Sequence, residues 1–508
     1  MKLRAIQTIF LISIFSTLRA QVTDHNIHPA PAPPTLPAAG GKFVDQTFGS
    51  TIMRVTDASD GNDNHHAYSY WPCMNKNSTQ LYVMQTAIGP TLYDFDTLGF
   101  LISNKRIAFN AVCPSGNGPD VENAVWSDLD PDIIFVHDRN MQLYSYNVVS
   151  KSYSLVKNFT TLFPAGSHTR QMNKNHTNDD LFTFTLQDAG WNVTGVFAWR
   201  KSTNQLYSYA SAGADECQPD RSGSYLIIKT GNSGQFVVES QIVNLATGVV
   251  KDLFDGGPAN ATTPGPYWGP GHGDFGSGTA MGNDNWNNRF LGRRCANADS
   301  FYVVHDWQSD WSQDYHVSGL SDRENWVLLS TYVGGSLSSS GYFKNEIFLV
   351  STDGKDSVLR IAHHQSDYVA DNNANGGGNA YWSSPKGSIS KNGKWVTFTS
   401  NWGSITRKDV FVAKVPWPNA TAVPQASTEV SGVQVYPNPM QDRAIFSFGT
   451  ELINAEIKIY DLLGKVHLSR VFSGEQVIVK RAGLPSGVYF YQIVSEGKIA
   501  TNGKLVIE

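Results

Sequence analysis

Between residues 42 and 415 one arrangement of apolar and polar positions recurs seven times. A short strand leads to a polar turn, then an apolar strand, a variable stretch and a further strand. The last copy is the clearest, reading SPKGSISKNGKWVTFTSNWG and then KDVFVAKV. The others begin near YWPCMNKNSTQLYVMQ, AVWSDLDPDIIFVHD, RQMNKNHTNDDLFTFTLQD, ECQPDRSGSYLIIKTG, GHGDFG and HVSGLSDRENWVLLSTY. Copies lie roughly 50 residues apart, the length a four-stranded unit requires. Asn392-Gly393 and Asp353-Gly354 supply the positive φ of tight hairpins. A lone unit would expose sheet edges, whereas a closed ring of them exposes none. The pattern therefore predicts an all-β chain, a seven-bladed β-propeller over 42–415. Six or eight blades, or an array of two-sheet sandwiches, are the alternatives.

Residues 416–432 (PWPNATAVPQASTEVSG) carry no periodic apolar pattern and read as a linker. After them, 433–508 shows short alternating strands with turns at Pro437-Asn438-Pro439, Leu463-Gly464-Lys465 and Pro485-Ser486-Gly487. This predicts a small C-terminal β-sandwich.

The repeat gives the histidines a register. His65, His66, His168, His272, His316, His363 and His364 each fall just before, or at the start of, a unit. In a propeller those positions surround one mouth of the central channel, so a shared polar site is expected there. Arg170 and Glu216 hold equivalent places, and Asp274 follows His272 by two residues. The other six histidines, His25 and His305 among them, share no register.

Two chemistries suit such a ring. Neutral imidazoles with an amide or carboxylate bind divalent ions such as manganese or zinc, with calcium a further option. His316, His363, His364 and Gln365 are the metal candidates. Adjacent histidines on a strand point to opposite faces, so one of 363 and 364 would ligate. The second chemistry is β-elimination from a uronic-acid polymer. Arg170 or a metal would neutralise the substrate carboxylate, His168 or His66 would take the C5 proton, and Tyr68 or Tyr315 would protonate the leaving oxygen. His65, His272 and Asp274, with Trp382 and Trp402 as stacking surfaces, would hold the sugar.

Composition narrows the partners. The chain has 508 residues, 12% of them aromatic, 45 glycines and a net charge of −5. No basic cluster stands out, which argues against nucleic acid. The N-terminus, MKLRAIQTIFLISIFSTLRA, reads as an export signal over 1–20 with cleavage near Leu18-Arg19-Ala20, followed by an extension over 21–41. Its apolar run is too short to span a bilayer. Cys73, Cys113, Cys217 and Cys295 would meet an oxidising route, with three possible pairings.

Two resemblances add to this. YPNP at 436–439, IYDLLGK at 459–465, LPSGVYFYQI at 484–493 and the terminal KLVIE resemble the C-terminal sorting domain of the type IX secretion system of Bacteroidetes. That resemblance implies handling by the type IX machinery and release or attachment at the cell surface. The central region, through HVSGLSDRENWVLLS and AHHQS…SPKGSISKNGKWVTFTSNWG, resembles the TolB-like propellers that include oligogalacturonate lyases. In those lyases a histidine-rich cluster with a glutamine binds a catalytic metal. His316, His364 and Gln365 are approximate counterparts, and the spacing of the family cluster is not reproduced. Two expectations follow: a secreted monomeric polysaccharide lyase, or a non-catalytic carbohydrate- or protein-binding propeller at the cell surface.

Overall fold

The computed structural model describes residues 21–417 and 433–508, apart from 212, 231–239, 254–272, 285–287, 308–312, 333–340, 463 and 496–497. The expected export signal, most of the linker and His272 therefore lie outside the described residues. Two compact units are present, divided between Trp417 and Pro418.

The first unit holds seven antiparallel sheets. Blade 1 pairs Gln80–Val83, Thr91–Asp96 and Leu101–Ile107, and a bridge from Met74 to Leu81 stands in for its innermost strand. Blades 2 to 6 have four strands each, their innermost being Val125–Trp126, His168–Lys174, Ala214–Pro219, Asp274–Gly276 and Asp314–Ser318. Blade 7 draws on both ends of the chain. Ser388–Ile389, Trp395–Ser400 and Asp409–Lys414 pair in order, and Thr51–Arg54 and Lys42–Val44 add on outside them. This closure joins the ring without a covalent bond and is the seven-bladed propeller the repeat implies. Apolar strand faces pack between neighbouring blades, as Val412, Val410 and Trp395 do against Leu81 and Tyr93.

The four cysteines are buried and unpaired. They behave as small apolar side chains, so none of the three possible pairings forms.

The extension is not loose. The Arg360 backbone N–H donates to the Val22 carbonyl at 2.9 Å, and the Arg360 guanidinium reaches the Asp24 carbonyl at 3.0 Å. Trp402 Nε1 donates to the Pro34 carbonyl at 3.0 Å. The extension thus lies along the outer strand of blade 6 and continues to blade 7, covering an edge that would otherwise offer free backbone groups.

The second unit pairs Gln434–Tyr436, Arg443–Tyr460, Val466–Lys480, Gly487–Ser495 and Lys498–Ile507 around a core that includes Phe446, Ile457, Ile459, Tyr491 and Leu505.

Candidate functional site

The entries to the innermost strands of blades 2 and 3 border one cleft. Two β-bulges shape it. In blade 3 one extra residue lies between Arg170 and Asn173 relative to the partner strand, and Gln171 sits there at φ 48°. In blade 4 an extra residue lies between Ala214 and Glu216. A bulge breaks the in–out alternation and re-aims the side chains beside it. Arg170 and Asp215 consequently stand out from the wall, 46% and 38% exposed and 3.7 Å apart.

Arg170 lines a cleft of about 260 Å³ with Asp120, Glu122, Asn123, Arg139, Thr169, Gln171, Gln187 and Trp191. Trp191 also stacks on His168, with ring centroids 3.7 Å apart and planes 5° from parallel. His168 Nδ1 lies 3.2 Å from Asn140 Oδ1. An amide oxygen accepts there, so Nδ1 carries the proton and Nε2 is left as the basic nitrogen.

Two carboxylates in the cleft differ in state. Burial opposes ionisation of Asp120, but His137 at 3.2 Å and Arg139 at 3.1 Å hold its carboxyl well below the usual range. Glu122 is pushed up, first by burial and then by the Asp120 charge, against the pull of Arg139, Lys386 and Arg170. Two carboxyls of opposite tendency thus share one wall.

The channel floor beside the cleft is aromatic and ionic. Tyr70 donates to both Glu216 oxygens at 2.8 Å, and Lys229 Nζ lies 2.7 Å from Glu216 Oε1 and 4.4 Å from the Tyr70 ring centre. Tyr68 packs against Tyr70 at 4.6 Å, His316 at 5.0 Å and Tyr381 at 6.3 Å. Burial drives the Tyr68 hydroxyl well above its ordinary value. Lys386 is fully buried, sits 3.7 Å over Tyr381 and 4.8 Å over Trp382, and loses much of its basicity to burial. Trp382 in turn stacks on His65 at 4.2 Å.

Among the described residues, the expected histidines do not form one ring. His168 backs the cleft through Trp191, while His65 packs on Trp382 and His316 on Tyr68. His66 is enclosed, with Nε2 2.7 Å from the Lys386 carbonyl, Nδ1 2.8 Å from Thr399 Oγ1, and burial pushing it down to about 3. His363 ends the outermost strand of blade 6, not the start of an inner one. Burial would depress it, but Asp45, 3.6 Å away, and the Glu346 charge raise it, and its Nε2 meets the His28 carbonyl. His364 gives Nε2 to the Thr331 carbonyl at 2.8 Å, and its Nδ1 accepts from Ser366 N–H at 3.0 Å. Gln365 donates to the Pro31 carbonyl at 3.3 Å. His364 thus has both ring nitrogens hydrogen-bonded and His363 is tied to Asp45 and the His28 carbonyl, so neither is presented as a ligand beside His316 and the Gln365 amide oxygen. The ring nitrogens of 363 and 364 already serve the fold.

Other expectations also change. Tyr315 alternates away from the channel into the core, stacked on Trp307 at 4.8 Å. Trp402 stacks on Phe411 at 5.0 Å under the extension. Asp274 is buried, accepts from Gly319 N–H at 2.5 Å, and is pushed up to about 6 by burial. Sequence reasoning passed over Glu122, Trp191 and Lys386. Trp191 lies in a blade 3 turn with no repeat register, and Lys386 follows Pro385 in an ordinary-looking turn.

The fold and this cleft define a seven-bladed propeller followed by a small β domain, and comparison with known proteins agrees. Residues 434–508 match the family described as "Secretion system C-terminal sorting domain". The C-terminal unit is a type IX sorting domain, and the protein is exported to the cell surface or secreted. No helix among the described residues is long and apolar enough to cross a membrane. The chain is similar in structure to an oligogalacturonate lyase of Vibrio parahaemolyticus, at 13% identity and a TM-score of 0.53, covering 75% of this chain and 99% of that one. It is also similar to an oligogalacturonate lyase in complex with manganese, at 12% identity and 0.52, covering 76% and 98%. At these identities the likeness is one of fold. No curated protein sequence matches the chain.

Proposed function

We propose that the exported propeller binds an acidic poly- or oligosaccharide and cleaves it by β-elimination in the cleft of blades 2 and 3. The observation that carries this reading is Arg170, re-aimed by a bulge into a 260 Å³ cleft beside the His168–Trp191 stack. Its guanidinium would pair with the uronate carboxylate and make the neighbouring C5 proton more acidic. His168 Nε2 would take that proton. The electron pair then forms the C4–C5 double bond, and the C4–O bond breaks. Glu122, whose pKa burial and the Asp120 charge raise, would protonate the leaving oxygen. Trp191, half-exposed, would stack a sugar face. Asp120 is matched by His137 and Arg139, so it does not repel an anionic chain. The step is written without a metal, because His363 and His364 are engaged by the fold.

The test is incubation of the purified protein with a panel of uronate polymers, following absorbance of unsaturated products with and without chelator. Product formation that resists chelator and falls by about 100-fold or more in Arg170→Ala supports the reading. Polymer binding without product would make the propeller a surface-displayed binding module instead.

A further inference from the structure

A second cluster lies away from this cleft. His305 ends the outermost strand of blade 5, Asn297–Asp306, and is fully buried. Asp356 occupies the turn between the last two strands of blade 6 at φ 52°. His25 comes from the N-terminal extension. His305 Nδ1 is 2.6 Å from Asp356 Oδ1, and His25 Nε2 is 3.4 Å from the same oxygen. Among the described residues these are the only three His, Cys, Asp or Glu side chains whose ligand atoms all lie within 4.8 Å of one another.

We propose that His25, His305 and Asp356 form a divalent-cation site, taken by zinc, that fastens the extension to blades 5 and 6. Three observations support it. The spacing needs little adjustment, since ligands about 2.0–2.1 Å from a tetrahedral ion stand roughly 3.4 Å apart: His25 Nε2 is already 3.4 Å from Asp356 Oδ1, and His305 Nδ1, at 2.6 Å, parts from it when their shared proton leaves. Second, His25 Nε2 is shielded from solvent and makes no hydrogen bond, although its ring edge is exposed. A nitrogen held dry with only a long approach to Asp356 costs free energy that a metal bond would recover. Third, the His305 ring is clamped by Trp307 at 4.6 Å and Phe343 at 4.7 Å, so its nitrogens keep their aim. That apolar collar also lowers the local dielectric and strengthens ligation.

Donor chemistry selects the ion. Two imidazoles and one carboxylate suit zinc, whereas calcium takes six to eight oxygens. On binding, the proton shared by His305 Nδ1 and Asp356 leaves to solvent, and both atoms turn to the metal. The fourth position holds water. The ion then cross-links three chain segments otherwise joined there by packing and backbone hydrogen bonds.

The test uses the untagged full chain, stripped with chelator and titrated with zinc while bound metal is counted. Roughly one equivalent is expected, with binding about tenfold or more weaker in His25→Ala and in Asp356→Asn. His25→Ala removes a part-exposed side chain on the extension, so the propeller stays folded. Zinc should also slow proteolysis within residues 21–37 in the wild type and leave it unchanged in His25→Ala. Wild-type protein that takes up no zinc, or variants that bind as tightly as wild type, would overturn the proposal.

Discussion

His66 and His168 both stand at the entry to a blade, yet their surroundings give them opposite capacities. His168 keeps one ring nitrogen for chemistry, while His66 spends both on Thr399 and the Lys386 carbonyl. The His66 imidazole is neutral in the fold, with its pKa lowered from 6.5 to about 3 by burial. The unfolded chain therefore binds more protons below about 6.5, and this stability is lost as pH falls towards 3, at roughly 1.4 kcal/mol per pH unit. His66→Gln is expected to flatten the pH dependence of urea unfolding between about pH 6 and 4, while lowering stability near pH 7 by about 1–3 kcal/mol. An unchanged slope would mean that His66 is not held neutral. Trp191 offers a different readout. It is exposed, so Trp191→Ala should leave the melting temperature in place and weaken polymer binding by about 0.5–1.5 kcal/mol, read by calorimetry.

At the scale of elements, bulges and closure matter most. The strand period announces which residues alternate, and His316 and Tyr315 obey it, one towards the channel and one into the core. Arg170 and Asp215 do not, because Arg170 adjoins an inserted residue and Asp215 is one, and no periodicity shows either. Blade 7 was legible through its own three strands. That two strands near the N-terminus complete it follows only from pairing across more than 350 positions, as between Met53 and Val412. Phe411 is fully buried at this seam, packed with Ile52 and Ile389. Phe411→Ala is expected to cost about 3–5 kcal/mol in urea unfolding. A loss below about 1 kcal/mol would mean that the seam carries little of the stability.

For the whole molecule, export and any activity reside in separate units. The sorting domain has its own core, and the propeller closes on itself, so neither needs the other to bury its apolar surface. Deleting residues 434–508 should leave the propeller folded, with its circular dichroism retained, but the protein held inside the cell. Fractionation checks this, and surface or culture-medium protein from the deletion would contradict it. Seven blades, the C-terminal domain and its sorting role were readable from the chain, because hairpin turns, strand alternation and a compact motif are local properties. Which histidines share a site was not. His363 and His364 fit the repeat but are consumed by Asp45, the Thr331 carbonyl and the extension. His25 and His305 fit no repeat and meet 280 positions apart in sequence. Register assigns a residue to a blade. Only the packed fold decides which of its atoms are already bonded, and therefore which are left for chemistry.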